Sequence, residues 1–441
     1  MERQGFDLLL TNAHVLTMDE TNRSIDNGFV AIRGTEIAAL GPMNECPSAA
    51  TAEVMDCADC VILPGLINAH THLAMSYFRG LADDLPLAEW LEQHIWPAES
   101  KHLSPQFVYE ATLFAAAECI RSGVTCVNDM YIFAADAARA IIDAGLRGYV
   151  GEGVIGFPTA SAPNWQDGRR LTEELIAQYD NHPLITPTVC VHAPYSCDVE
   201  LLQSMHQVAQ EQRLLYQIHL HESFDEAERI SWAEPEETPT HSMKRIGVLG
   251  PRMVAVHCVW VDDHDIRHLK EFDCGVGHCP ASSMKLGNGI APVHSMVEAD
   301  LPVGLGTDGA ASNNNISMWE EIHLAALAAK SAYKSPKVVP AEVALSFATS
   351  NAAALLHDDS IGVLAVGKHA DIAILELGAI HLKPRYHHEK ALYSHLVYCA
   401  QTADVRDTIV AGKVLMRNRQ LTQLDEEELK AKAQEWVDRN F

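Results

Sequence analysis

The sequence is poor in positive charge. It carries 32 Lys and Arg residues against 59 Asp and Glu residues, and its formal net charge at pH 7 is -27. Nucleic acids and anionic membrane surfaces both attract basic proteins, so this chain is expected to bind neither of them. We interpret the excess of acidic charge as a contribution to solubility.

Two further absences concern location. No apolar run is long enough to cross a bilayer, and residues 1–7 lack the basic start and apolar stretch of a signal peptide. Eleven cysteines in a long chain without a secretion signal are expected to be reduced thiols in the cytoplasm. Cys57 and Cys60 form a Cys-x-x-Cys pair, but no second pair stands at zinc-ribbon spacing, so we treat the pair as incidental.

The middle of the chain alternates strand-like apolar runs with helical segments. This alternation predicts an α/β fold, and the number of strands fits a (β/α)8 TIM barrel. A doubly wound sheet is the alternative architecture. It would be expected to carry a glycine-rich phosphate-binding turn after its first strand, and the sequence has none there.

Both ends of the chain are rich in short strands and turns. Neither end is long enough to form a large core by itself, so we expect the two ends to pair. The predicted organisation is a small discontinuous β-sandwich domain over residues 1–62 and 366–420, a catalytic barrel over residues 63–365, and a C-terminal helix over residues 421–441.

The stretch over residues 63–76 contains the first candidate ligands. An apolar run over residues 59–67 is interrupted by Pro64-Gly65 and leads to His70 and His72. In an extended backbone, positions i and i+2 point to the same face, so both imidazoles are expected to aim at one point. Imidazole is the commonest metal ligand in proteins, and two of them would form half of a zinc-type site.

Polar residues also close the later strands of the predicted barrel. The active site of such a barrel lies at the carboxyl ends of its strands. The side chains found at these ends are those of His70 and His72 on the first strand, His192 on the fourth, His219 and Glu222 on the fifth, His257 on the sixth and Asp308 on the eighth.

A divalent metal ion held by imidazoles and one carboxylate accounts for this set. Of His219 and Glu222, one would hold the metal while the other faces substrate. His257 is either a ligand or a hydrogen-bond partner of the reacting water, and Asp308 could both ligate and accept a proton. His221 alternates to the opposite face and is predicted to be structural.

The motifs closely resemble those of the amidohydrolase superfamily across nearly the whole chain, and within it the methylthioadenosine/S-adenosylhomocysteine deaminase group. The matching motifs are PGLINAHTH at residues 64–72, HLHE at 219–222, VHCV at 256–259, GTDGAASNN at 306–314 and GKHAD at 367–371. Relatives of the group are guanine and other aminohydrolases and the triazine chlorohydrolases. The fourth strand has no lysine that could be carbamylated to bridge two metals, so the resemblance implies one metal ion.

The resemblance also implies a role for each candidate residue. A single divalent ion, Zn²⁺ in preference to Fe²⁺ or Mn²⁺, is implied as the cofactor. The implied metal ligands are His70, His72, His219 and Asp308. The implied catalytic residues are Glu222, which protonates a ring nitrogen, His257, which orients the water, and Asp308. The implied substrate contacts are Trp90, His192, Glu222, Asp308 and Glu99, of which Glu99 takes the ribose hydroxyls.

The implied reaction is hydrolytic deamination of an adenine nucleoside, a small-molecule substrate. In dual-substrate members of the group, an arginine a few residues after the Leu-Arg pair of the third strand helps to bind the homocysteine carboxylate. Here the resemblance places Glu152 at that position, after Leu146-Arg147. We therefore predict 5'-methylthioadenosine as substrate, giving 5'-methylthioinosine and ammonia, with weaker activity on S-adenosylhomocysteine. Arg169 or Arg170 could supply a second arginine.

Two alternatives remain open at this point. One is a purine-base aminohydrolase or a triazine amino- or chlorohydrolase on the same site. The other is a non-catalytic scaffold, which should lack some ligands, although every expected ligand is present. A homo-oligomer is expected.

Overall fold

The computed structural model describes residues 5–48, 52–386 and 388–441. The strands are β1 (Leu8–Leu16), β2 (Ser24–Arg33), β3 (Glu36–Pro42), β4 (Glu53–Asp56), β5 (Cys60–Pro64), β6 (Leu66–His72), β7 (Val124–Tyr131), β8 (Arg147–Val154), β9 (Ile185–Pro187), β10 (Val189–Val191), β11 (Tyr216–Leu220), β12 (Met253–His257), β13 (Gly275–His278), β14 (Val303–Leu305), β15 (Asp308–Gly309), β16 (Ile372–Glu376), β17 (Val405–Val410), β18 (Lys413–Arg417) and β19 (Gln420–Leu421).

Helices alternate with the strands of the middle part. They are α1 (Leu87–Trp90), α2 (Trp96–His102), α3 (Pro105–Arg121), α4 (Ala134–Ala144), α5 (Trp165–Gln178), α6 (Val199–Gln212), α7 (Glu226–Arg229), α8 (Pro239–Arg245), α9 (Asp263–Glu271), α10 (Pro280–Lys285), α11 (Val293–Glu298), α12 (Ala310–Asn313), α13 (Met318–Ala332), α14 (Ala341–Ser346), α15 (Ser350–Leu355), α16 (Glu389–Tyr398) and α17 (Glu426–Asn440). None of the described helices is long and apolar enough to span a membrane.

Strands β6 to β15 form the predicted barrel. They pair in parallel in the order β14-β13-β12-β11-β10-β8-β7-β6-β15, with β9 also on β8. Two strands are each divided, the fourth into β9 and β10 and the eighth into β14 and β15. Because β14 pairs with β13 while β15 pairs with β6, the described residues close a ring of eight parallel strands. The (β/α)8 TIM barrel is confirmed.

The two ends of the chain build a separate sheet, as predicted. Within the described residues it has nine strands, in the order β19-β18-β17-β16-β5-β1-β2-β3 with β4 on β1, so its hydrogen bonds run through one continuous ladder. Strand β5 pairs antiparallel with β16, and Ile62 lies opposite Ile374. Apolar side chains from both ends, among them Leu10, Val30 and Ile409, form its buried core. The domain limits given above stay a prediction.

Gly65 is the only residue between the two sheets at this point. Strand β5 belongs to the small sheet and β6 to the barrel, so the apolar run over residues 59–67 is divided rather than continuous. A Cβ atom at Gly65 would lie 2.1 Å from the Thr125 side chain, so only glycine fits there. The strand that carries His70 and His72 therefore starts one residue after β5, an interior strand of the small sheet.

Candidate active site

Four potential ligands meet at the carboxyl ends of the barrel strands. His70 and His72 lie at the end of β6, His219 lies on β11, and Asp308 opens β15. One ligand atom from each of the four residues lies within 4.8 Å of the others. The His70 and His219 Nε2 atoms are 3.2 Å apart. The structure thus brings together all four residues predicted to bind the metal.

Buried hydrogen bonds fix the direction of each imidazole. The Nδ1 of His70 donates to Gln217 Oε1 at 2.7 Å, that of His72 to the Met130 carbonyl oxygen, and that of His219 to the His192 carbonyl oxygen at 2.6 Å. A carbonyl oxygen only accepts, so these nitrogens carry the protons and each Nε2 offers its lone pair to the centre.

The charge state of the cluster suits a divalent cation. Burial lowers the pKa of His70 and lowers that of His219 well below its usual range. Burial also acts to lower the pKa of His72, but the neighbouring Asp308 outweighs it and raises that pKa, and a bound cation would displace the proton. Burial would raise the pKa of Asp308, but the adjacent rings of His70 and His72 hold it well below its ordinary value. Neutral imidazoles with one ionised carboxylate are the donor set of a divalent transition metal, and the residues present fit such an ion.

Glu222 and His257 lie beside this cluster with unusual protonation states. Burial, with a further contribution from Asp308, raises the pKa of Glu222 well above its usual value and so favours the protonated form of its carboxyl group. Burial lowers the pKa of His257 to about 3, which leaves that ring neutral. Glu222 Oε2 and His257 Nε2 are 3.8 Å apart. A proton donor and a neutral imidazole therefore face the same space.

One cavity joins these groups to the predicted substrate contacts. His70 lies behind its wall and is fully buried. The predicted site residues that line the cavity are His72, Trp90, Glu99, His192, His219, Glu222, His257 and Asp308.

Glu99 is a further carboxyl group in the lining of this cavity. Its Oε1 accepts a hydrogen bond from the Tyr131 hydroxyl at 2.6 Å, and burial raises the pKa of Glu99 to about 7. Trp90 donates its indole N–H to the Ala82 carbonyl oxygen at 3.2 Å, so its ring serves as wall. Burial lowers the pKa of His192 to about 3, and this ring is neutral.

The remaining lining is mostly apolar. None of the described lysine or arginine residues lines this cavity. The apolar side chains that do are those of Met75, Leu87, Leu91, Ile95, Trp96, Met130, Ile132, Ile155, Phe157, Pro158 and Ala160.

Glu152 and the two arginines lie away from the cavity lining. Glu152 is buried and accepts hydrogen bonds from the Phe133 and Ala134 N–H groups and the Ser161 hydroxyl. Arg169 pairs with Glu173 at 2.9 Å, and the exposed Arg170 pairs with Glu174 at 2.6 Å. Glu152 therefore does not line this cavity, and neither do Arg169 and Arg170.

Several supporting residues were not predicted from the sequence. Glu226 accepts the backbone N–H groups of His221 and Glu222 at 2.9 and 2.8 Å and so holds the loop after β11. Ser282 and Ser312 donate hydrogen bonds to Asp308 Oδ2. His257 has φ 75° and Asp308 has φ 59°, left-handed values that are uncommon for residues other than glycine. No periodicity or spacing in the sequence marks any of these contacts.

Barrels that carry such a donor set at the carboxyl ends of their strands are metal-dependent hydrolases, and this chain is one of that class. A model of the amidohydrolase family matches residues 61–415. The chain belongs to the amidohydrolase family.

Relatives within that family match over nearly the full length. The chain is 44% identical over 425 residues to a 5-methylthioadenosine/S-adenosylhomocysteine deaminase of Syntrophobacter fumaroxidans, with 96% of each chain covered. It is 40% identical over 426 residues to a 5'-deoxyadenosine deaminase of Methanosarcina acetivorans, again with 96% of each covered. An adenosine deaminase from Xanthomonas campestris, solved with bound zinc, superimposes with a TM-score of 0.95 at 34% identity, over 99% of this chain and 98% of that one.

Proposed function

We propose that the protein hydrolytically deaminates adenine nucleosides at C6, with 5'-methylthioadenosine as the preferred substrate. The observation that carries this proposal is the position of Glu222, a buried carboxyl group with a raised pKa, in one cavity with the His and Asp cluster and with Glu99. The three similar proteins named above are all deaminases of adenosine or its 5'-modified forms.

The chain's own residues divide the chemical work. His70, His72, His219 and Asp308 would hold a divalent ion, which lowers the pKa of water from 15.7 to roughly 7 and so supplies the nucleophile. His257 orients the attacking water, and Asp308 accepts its proton. Glu222 gives its proton to a ring nitrogen, which lets the ring accept the oxygen at C6. The proton taken by Asp308 then passes to the exocyclic nitrogen, the C6–N bond breaks and ammonia leaves. The C6–O double bond forms as the remaining hydroxyl proton returns to Glu222.

Substrate choice follows from the other residues that line the cavity. Glu99 offers a carboxylate to the two ribose hydroxyls, while the 5' substituent meets apolar walls such as Trp96 and Phe157. A methylthio or deoxy group suits these walls. The homocysteine carboxylate of S-adenosylhomocysteine meets no lysine or arginine among the described lining residues, and desolvating it there is costly.

A substrate panel tests the proposal. We expect kcat/KM for 5'-methylthioadenosine to exceed that for S-adenosylhomocysteine roughly 10- to 100-fold, the value of one missing hydrogen bond to a charged group. The panel includes 5'-deoxyadenosine, adenosine, guanine and a chlorotriazine, with ammonia and chloride release as readouts. Equal values for the two thio-nucleosides would remove the preference, and turnover of guanine or the triazine alone would overturn the nucleoside assignment.

Zinc is the metal we propose for the site, because three imidazoles and one carboxylate suit a borderline-soft ion. Metal analysis of the purified protein, followed by chelation and restoration with zinc, iron or manganese, tests this choice. The homo-oligomeric state and the cytoplasmic location remain predictions from the sequence.

A further inference from the structure

The two carboxylate oxygens of Asp308 have different neighbours. Oδ1 faces the Nε2 atoms of His72 and His70 at 3.1 and 3.5 Å. Oδ2 accepts hydrogen bonds from the Ser282 hydroxyl at 2.7 Å and the Ser312 hydroxyl at 2.8 Å. One oxygen is therefore directed at the metal-binding centre while the other is held from behind by two hydroxyl groups.

The two serines reach Asp308 from different parts of the barrel. Ser312 lies on α12, four residues after Asp308, and it lines the cavity. Ser282 lies on α10, which follows strand β13, and it is fully buried outside the cavity lining. Ser282 thus connects the loop after the seventh strand to the carboxylate of the eighth.

A buried glutamate fixes both serine-bearing helices. Glu321 on α13 accepts the Ala281 N–H at 3.1 Å and the Asn313 side-chain amide at 2.6 Å. Asn313 also donates to the Thr307 carbonyl oxygen at 2.8 Å, directly before Asp308. Because Ala281 precedes Ser282 and Asn313 follows Ser312, the positions of both hydroxyl groups depend on this one carboxylate.

We propose that Ser282 is a positioning residue for Asp308. Together with Ser312, Ser282 sets the torsion of the Asp308 carboxylate so that its Oδ1 points at the metal. The torsion about the Cβ–Cγ bond of an aspartate is broad and roughly two-fold, so packing alone does not select one orientation. Hydrogen bonds to an ionised oxygen are short and strong, and two of them on Oδ2 leave Oδ1 for the ion and the water proton. Partners of this kind typically change metal affinity or activity roughly 10- to 100-fold.

The chain offers a matched control at the next position. Ser283 lies on the same helix and is equally buried, yet within the described part of the chain its hydroxyl has no hydrogen-bond partner. Ser282→Ala and Ser283→Ala each remove one buried oxygen from α10, but only the first removes a contact to Asp308. Neither side chain lines the cavity.

The decisive readout is zinc affinity, measured by competition with a chromogenic chelator on the purified full chain. We expect Ser282→Ala to weaken zinc binding roughly 10- to 100-fold and to lower kcat for 5'-methylthioadenosine by a similar factor, with KM within about twofold. Ser283→Ala should match the unmodified protein in all three quantities. Zinc affinity unchanged in Ser282→Ala, or an equal loss in both variants, would overturn the proposal.

The kinetic part of this test rests on the proposed function, whereas the zinc titration does not. If the unmodified protein bound zinc but failed to deaminate nucleosides, the proposed function would fail and the affinity comparison would still decide the role of Ser282. Thermal melting of each variant shows whether it is folded. If Ser282→Ala does not fold, Ser312→Ala removes the other donor from the same oxygen, and wild-type zinc affinity in that variant would likewise overturn the proposal.

Discussion

The Glu222 carboxyl group can act as an acid because its environment opposes ionisation. Burial and the Asp308 charge both raise its pKa. Glu222→Gln keeps the shape but has no acidic proton to give. We expect the variant to retain its metal and to lose roughly 100- to 10,000-fold in kcat, the usual contribution of general acid–base catalysis. Turnover is measured as ammonia release and metal content by elemental analysis; near-normal turnover with full metal content would contradict the acid role.

The raised pKa of Glu99 predicts that nucleoside binding depends on pH. Its pKa is raised to about 7 by burial, so the group takes up a proton as pH falls through neutrality. An ionised carboxylate accepts both ribose hydroxyls, whereas the protonated form has one oxygen occupied by hydrogen. We expect KM for 5'-methylthioadenosine to rise as pH falls from about 8 to about 6.

Glu99→Gln is the control for this titration. Its side chain cannot titrate, so KM should be high and nearly independent of pH over the same interval. A flat KM in the unmodified protein would show that Glu99 does not bind the ribose as a carboxylate.

At the residue scale, the sequence predicted the metal ligands better than the residues that hydrogen-bond to them and hold them in place. His70 and His72 are recognisable because strand periodicity places both on one face, and Asp308 because it closes an apolar run. No sequence pattern marks Ser282 or Glu321. Ser282 contacts Asp308, which is distant in sequence, and Glu321 accepts a backbone N–H group, which every residue except proline has. Such contacts exist only once loops from different strands meet.

At the scale of single elements, the loop after β11 depends on one side chain. Glu226 binds two consecutive N–H groups, and His221 between strand and loop has φ 54°. Glu226→Gln would turn one accepting oxygen into a donor that faces a backbone donor. We expect the free energy of unfolding to fall by about 1–3 kcal/mol and kcat to fall, because Glu222 is displaced.

The exposed Glu228 on the same short helix provides the comparison for this variant. Glu228→Gln should leave both urea stability and kcat unchanged. If the two variants behaved alike, Glu226 would not be what holds the loop.

Individual strands were predicted less accurately than their order. The fourth strand is expected as one run over residues 185–191, but it divides after Pro187, which has no N–H for the ladder. The eighth divides between Leu305 and Asp308. Alternating apolar runs reveal that a strand exists and which face is buried, but its interruptions depend on the neighbouring strands of the closed ring.

At the scale of the whole molecule, a buried ion pair joins the barrel to the small sheet. Arg147 on β8 donates to Asp371 at 2.8 Å, and Asp371 also accepts the Ala411 N–H at 2.7 Å. Asp371→Ala leaves a buried guanidinium group unpaired. We expect the free energy of unfolding to fall by about 3–5 kcal/mol, measured by urea denaturation.

A double variant, Arg147→Met with Asp371→Leu, separates the charge from the packing. It should recover part of the lost stability, because no buried charge is left without a partner. Equal stability of Asp371→Ala and the unmodified protein would show that this pair does not join the two units. Asp371 is the last residue of the GKHAD motif, so this motif would contribute to the stability of the fold rather than to the reaction.

The pairing of β5 with β16 has a consequence for synthesis. Ile62 meets Ile374 only after about 310 further residues have left the ribosome. Until then the edge of β5 that β16 will cover has no partner, and open strand edges of this kind favour aggregation in nascent chains. The barrel can begin to assemble while the nascent protein is still tethered, but the sheet from which its first ligand strand starts is completed only near the end of translation.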